Sequence, residues 1–436
     1  MPKLSHVPNI LQNLLIDSAR EAGFATGFVQ RRSKLTAEAF VQTLTFGWLA
    51  NPSASLQQLA QTAALFGIDL SAQALDQRFS QRAADCLKQV LESALTHVIS
   101  SQGVAIPLLS RFKGVNLIDT SIICLPDELL PVWSGCGGTA GKSSSLKIEL
   151  GLELITGKLA GPHLHPGRYA DCRGLLPQTQ AEPGSLRICD LAYFKLQSMK
   201  ELSDKQAYWL TRVKSCTGIV DQTGKKWKLL DFIRAQKSDD FEVEVKMGFS
   251  ERVESRLIVQ RVSQEVADKR RRRLRDKARR NCSRIKKQSL ELAQWTVLAT
   301  NVGAEKLSRE DARVMMRMRW QIELVFKIFK SQGRVDEWRS KKGWRILCEV
   351  YAKLLAMLIQ HWVVVVSGWR LADRSLLKAG KAVQMLALEM ALAVNSVKGM
   401  AKVIKLLERL IANSCRMNKR KKAPSSFQLL SDGALA

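Results

Sequence analysis

Apolar residues recur at helical spacing in 37–49, 56–66 and 87–98, so residues 1–110 are predicted to form an all-helical segment. From about residue 113 the period drops to two. Gly114–Leu125, Leu146–Ile155 and Lys158–His165 read as strands, the last two joined by a tight Thr156-Gly157 turn. Another short strand is predicted over Ser185–Asp190, then a helix over Phe194–Leu202, then strands over 207–213, 241–247 and 256–262. Strand character returns over Trp295–Val302. A helix follows over Ser308–Ser331, capped by Ser308 with Asp311 at its third position. The remainder is helical and ends in a basic tail, 417–424.

Within the first segment, Ser55 begins a capped helix that stops at Gly67, and Ser71 begins a second about four residues later. This is the phrasing of a helix-turn-helix over about 55–80, in which Gln73, Gln77 and Arg78 would face a major groove. An ordinary helical hairpin fits the same residues. The Gly/Ser-rich stretch 134–145 lacks the spacing of a phosphate-binding loop and reads as a flexible connection.

Charge narrows the partner. Lys and Arg number 68 against 40 Asp and Glu, a formal +28, which calls for a polyanion, nucleic acid first. The densest run, 269–287, holds about a dozen cations against Asp268 and Asp276. That exceeds what i,i+4 pairing neutralises, so Arg271, Arg272 and Arg273 are expected to meet DNA phosphates. No secretory signal is evident. Tyr351–Trp369 is strongly apolar, but Lys353, Gln360 and His361 interrupt it, so a buried helix is expected and no membrane partner. Nine cysteines without a C-x-x-C pair read as reduced thiols of a cytoplasmic protein. His163 and His165 alternate on a strand, but no third ligand stands at a zinc-like spacing.

Two acids sit where an unpaired charge is costly: Asp119 inside one apolar strand and Asp190 at the end of another. In Arg313–Lys330, Met316, Arg319, Glu323, Lys327 and Lys330 share one helical band, with Ile322, Leu324, Val325, Ile328 and Phe329 on the opposite side. Taken alone, Glu323 and Lys327 are an ordinary i,i+4 ion pair. The conjunction with two buried-strand aspartates points instead to a carboxylate-based metal site.

Met316-x2-Arg319-x3-Glu323-x6-Lys330 resembles the Y-x2-R-x3-E-x6-K signature of DDE transposases of insertion-sequence family four, with methionine in the tyrosine position. Ile118-Asp119-Thr120 resembles the family's first-acid strand. Cys189-Asp190-Leu-Ala-Tyr193-Phe194 resembles its second-acid motif, D-x-G-Y-F, with alanine for glycine. The resemblance spans about 115–365. It implies Asp119, Asp190 and Glu323 as catalytic metal ligands, two Mg²⁺ (or Mn²⁺) ions, and Arg319, Lys330 and Lys327 on DNA. It also implies that Trp295 can stack on a flipped base. The acids are separated by 71 and 133 residues, the longer interval matching a β-rich insertion in this family.

The expected fold is an α/β ribonuclease-H-like core, 111–203 and 293–340, interrupted by a β-rich insertion, 204–292. An all-α DNA-binding domain, 1–110, precedes it, and a helical C-terminal region, 341–436, follows. The expected enzyme cleaves insertion-sequence ends and transfers strands into target DNA, as a homodimer on double-stranded DNA in the bacterial cytoplasm, associated with the nucleoid. Tyr351–Trp369 and Ala382–Val394 are candidate dimer helices. A non-enzymatic DNA-binding regulator and a nuclease without strand transfer are the alternatives. The first leaves the three acids unexplained.

Overall fold

The computed structural model describes residues 6–31, 34–135, 143–178, 181–280, 282–418 and 426–431. The loop predicted over 134–145 and the tail predicted over 417–424 lie largely outside them. The strands are β1 (Val115–Leu125), β2 (Ser144–Glu153), β3 (Leu159–Pro166), β4 (Leu186–Cys189), β5 (Tyr208–Arg212), β6 (Gly218–Val220), β7 (Lys226–Lys228), β8 (Asp240–Met247), β9 (Val253–Arg261) and β10 (Trp295–Thr300). The helices used below are α1 (Ala37–Ala50), α2 (Leu56–Ala64), α3 (Ala72–Asp76), α4 (Gln81–Ala94), α5 (Gln264–Arg280), α6 (Arg309–Met318), α7 (Trp320–Ser331), α8 (Gly343–Gly368), α9 (Leu376–Met385), α10 (Ala387–Ala393) and α11 (Val397–Ser414).

The chain forms two units. One comprises Met1–Ile106, Thr120–Tyr169 and Gln321–Phe427; the other comprises Pro107–Asp119, Ala170–Trp320 and Gln428–Ala436.

In the first unit, α8 is the central helix, packed by α1 and α4 on one side of the sequence and by α9 and α11 on the other. Helical regions expected at separate ends of the chain thus share one core. α8 is long and apolar enough to cross a membrane, but 94% of its most apolar window is buried inside the protein. The same burial removes Tyr351–Trp369 as a dimer surface. Its interior charge is compensated: Lys353 Nζ lies 2.8 Å from Glu349 and donates to the carbonyls of Arg334 (3.1 Å) and Glu337 (2.8 Å). That satisfaction makes burial of an ammonium tolerable.

The helix-turn-helix candidate maps onto α2 and α3. Ser55 and Gln58 form a complete capping box on α2, and Gly67 takes φ +73° in the turn, a conformation suited to glycine. α3 is only five residues long. Gln73 and Gln77 are exposed, whereas the Arg78 guanidinium stacks over Phe28 at 4.7 Å, and Asp76 is held by Lys342 and Arg345.

In the second unit the strand order is β1-β4-β5-β10-β9-β8-β6-β7, with β1, β4 and β5 parallel and β10, β9 and β8 antiparallel to their neighbours. β5, assigned by sequence to the insertion, instead pairs with β4 and extends the parallel part. Trp209 of β5, the helical Phe232 and the inserted-strand residues Ile219, Met247 and Leu257 share one apolar cluster. The basic run is the 17-residue helix α5, entered after β9. Arg270 fastens it to β10 by donating to the Trp295 carbonyl and to Thr296 Oγ1, both at 3.0 Å.

Candidate active site

Parallel pairing sets the two aspartates level. Leu117 on β1 lies opposite Ile188 on β4. Two residues further along each strand stand Asp119 and Asp190. Neighbouring strands are about 4.8 Å apart, so the carboxylates emerge side by side where β4 ends, the end at which open parallel sheets place ligands. Asp190 then precedes the short turn Leu191–Tyr193, with its carbonyl accepting from Tyr193 N–H at 3.0 Å and no capping bond from its side chain.

Both acids face one guanidinium. Arg319 Nη1 is 3.6 Å from Asp119 Oδ2, and Arg319 Nε is 3.8 Å from Asp190 Oδ1. The arginine occupies the joint between α6 and α7, so the single helix expected over 308–331 is interrupted at the residue that reaches both acids. α6 is held by its buried Val314, Met315, Met316 and Met318, and by Arg309 and Arg313, which pair with Asp240 of β8. Met316, in the tyrosine position of the signature, is therefore a packing residue.

Glu323 is half-buried on α7, four residues beyond Arg319, and Lys327 is exposed a further turn on. Buried Ile322, Val325, Ile328 and Phe329 define the opposite face, as the periodicity predicts. Lys330 Nζ donates to the Ile122 carbonyl at 3.1 Å and lies 3.9 Å from Asp336. Among the described residues no group of three His, Cys, Asp or Glu side chains is arranged to hold a metal as they stand. Two carboxylates converging on one cation are nevertheless the hard oxygen donor set that a divalent ion prefers, and in that respect the site fits one.

The other expected contacts divide. Arg272 and Arg273 point to solvent from α5, but Arg271 donates to the Leu290 carbonyl (3.2 Å) and pairs with Asp268 (2.8 Å). Trp295 begins β10 with Arg261 over its ring at 5.7 Å, and it packs against the apolar cluster. His165 approaches Glu149 at 3.2 Å and stacks on Tyr169, while burial lowers the pKa of His163. Sequence reasoning missed Asp240, whose partners Arg309 and Arg313 lie far off along the chain, so that no local motif marks it.

The family described as "Transposase DDE domain" matches residues 111–359, more than half of the chain. The chain belongs to the DDE transposase family. Relatives include the transposase for insertion sequence element IS231F of Bacillus thuringiensis subsp. israelensis, 26% identical over 88% of this chain and 85% of that protein. The transposase for IS1151 of Clostridium perfringens is 26% identical over 78% and 76%, respectively. That for IS421 of Escherichia coli is 25% identical over 78% and 88%. The resemblance to insertion-sequence family four read from the signature agrees with these matches. Membership brings a ribonuclease-H-like core, dependence on divalent metal and action on DNA, and makes the protein a DNA transposase and an enzyme. The regulator and simple-nuclease alternatives give way to it.

Proposed function

We propose that Asp119, Asp190 and Glu323 are the catalytic acids with which this transposase cleaves insertion-sequence ends and joins them to target DNA. The observation that carries the reading is the convergence of Asp119 and Asp190 on Arg319. A pair of Mg²⁺ (or Mn²⁺) ions, when bound, lowers the pKa of an attacking water or 3′-hydroxyl and stabilises the leaving oxygen of a phosphodiester. The three carboxylates would supply the oxygen ligands for that pair.

Arg319 would fork a phosphate, and Lys330 and Lys327 would meet neighbouring phosphates as point charges. Lys330 is aimed by the Ile122 carbonyl, which fixes its reach. Trp295 is the candidate stacking surface for an unpaired base, and Arg272 and Arg273 extend the phosphate contacts. α2 and α3 would read the terminal repeats, with Gln73 and Gln77 outward. Exposed Met385, Leu388 and Leu392 on α9 and α10 support a homodimer. A DNA substrate of this kind places the protein in the cytoplasm with the nucleoid.

The test is to incubate purified protein with labelled terminal-repeat DNA, Mg²⁺ and a target plasmid. End cleavage and joined products, both lost on Asp119→Asn or Asp190→Asn with DNA binding retained, are expected. Unchanged joining by either variant would overturn the assignment.

A further inference from the structure

α11 carries a row of four cations that no described residue answers. Lys398, Lys402, Lys405 and Arg409 follow one another at intervals of four, three and four, which at 100° per residue places all of them within a band of about 60°. All four are exposed. The buried residues of this helix, Met400, Ile404, Leu407 and Ile411, lie diametrically opposite, so the row faces straight out from the first unit. Among the described residues, none of the four cations has an ion pair or hydrogen bond. The helix does use pairing elsewhere: Glu408, on its flank, meets Arg370 at 2.7 Å.

Folding does not favour such a row. Each step of three or four residues sets like charges side by side, which destabilises a helix. Lys398 also stands in the first turn, where the helix dipole disfavours a cation and where there is no acidic residue. An external anion would relieve that repulsion.

We infer that the Lys398–Arg409 face of α11 is a second DNA-contacting surface, one that binds phosphates of double-stranded DNA without reading sequence. The row is about 16 Å long, and a duplex presents one negative charge per about 1.7 Å of axis, so every cation has a phosphate within reach. Three of the four are lysines, which act as point charges and carry no base preference. An anionic membrane fits less well, because a helix that lies on a bilayer offers an apolar face beside its basic one, and here the apolar face is consumed in the core. The inference rests on DNA as the partner and is independent of the acid assignment.

The test uses the full chain with K398Q, K402Q, K405Q and R409Q combined, binding a terminal-repeat duplex and an unrelated duplex across a salt series without metal. The slope of log affinity against log salt should shrink by about 3 to 4 for both duplexes, with the melting temperature unchanged or raised. An unchanged slope on both duplexes would overturn the inference. So would a loss confined to the terminal repeat, or unchanged DNA binding together with lost binding to phosphatidylserine vesicles. Cleavage lost in Glu323→Gln with the salt slope intact would show that the two proposals stand or fall separately.

Discussion

Arg319 Nη1 stands 3.6 Å from Asp119 Oδ2, so the arginine of the signature answers the charge of the first acid from 200 residues along the chain. A guanidinium in that position competes with any other cation for the same oxygens. Arg319→Gln should therefore tighten Mn²⁺ binding to the DNA-free protein by roughly five- to tenfold, the scale of about 1 kcal/mol for a partly exposed pair. Paramagnetic resonance of Mn²⁺ measures this directly. Weaker Mn²⁺ binding in the variant would mean that Arg319 supports the site instead of shielding it.

Glu323→Gln keeps size and much hydrogen bonding while removing the charge that holds a divalent ion. Cleavage and strand transfer in Mg²⁺ should fall by orders of magnitude with folding and end binding intact. Near-normal strand transfer would reduce Glu323 to a surface partner of Lys327.

On α5, adjacent arginines should separate by role. Arg272→Ala with Arg273→Ala should weaken DNA binding and flatten its salt dependence at constant stability. Arg270→Ala should instead cost about 1–3 kcal/mol of stability, because it frees carbonyls of β10 and its approach. Thermal melting beside a salt titration distinguishes the two outcomes.

Burial pushes the His361 pKa down to about 4, against its hydrogen bond to the Gly157 carbonyl, which favours the charged ring. The unfolded chain takes up this proton below about pH 6.5 while the folded ring stays neutral to about pH 4. Stability from this group is therefore complete above pH 6.5 and lost as pH falls toward 4, by up to about 3 kcal/mol. Denaturant midpoints for wild type and His361→Gln should converge as the pH is lowered through that window. Parallel curves would remove His361 as a source of acid sensitivity.

The buried Lys353–Glu349 pair should be costly to break and cheap to replace. Lys353→Met alone should destabilise by about 3–5 kcal/mol, whereas Lys353→Met with Glu349→Leu should recover most of the loss. Chemical denaturation of the single and double variants provides the comparison.

Much of the candidate site was legible because burial is expensive. A carboxylate inside Val115–Leu125 and another ending Leu186–Cys189 stand out against apolar neighbours, and the Arg319-Glu323-Lys330 spacing follows from helical geometry. The interruption at Arg319 was not legible, since periodicity runs through it. Nor was the division between Arg271 and Arg272, because a run of identical residues does not say which one turns back onto the protein. Amphipathic spacing identifies a buried face without naming its partner. Hence α1, α4 and α8 each read correctly as helices, while their shared core remained invisible.

That shared core has a consequence during synthesis. α1 ends at Ala50 and α4 at Ala94, long before α8, the helix that covers them, begins at Gly343, so the first unit cannot close until most of the chain has been translated. Until then, apolar faces of the early helices must wait exposed or be held by chaperones. A product cut short before α8 would carry the Asp119 and Asp190 strands without the helix on which the first unit's core is built.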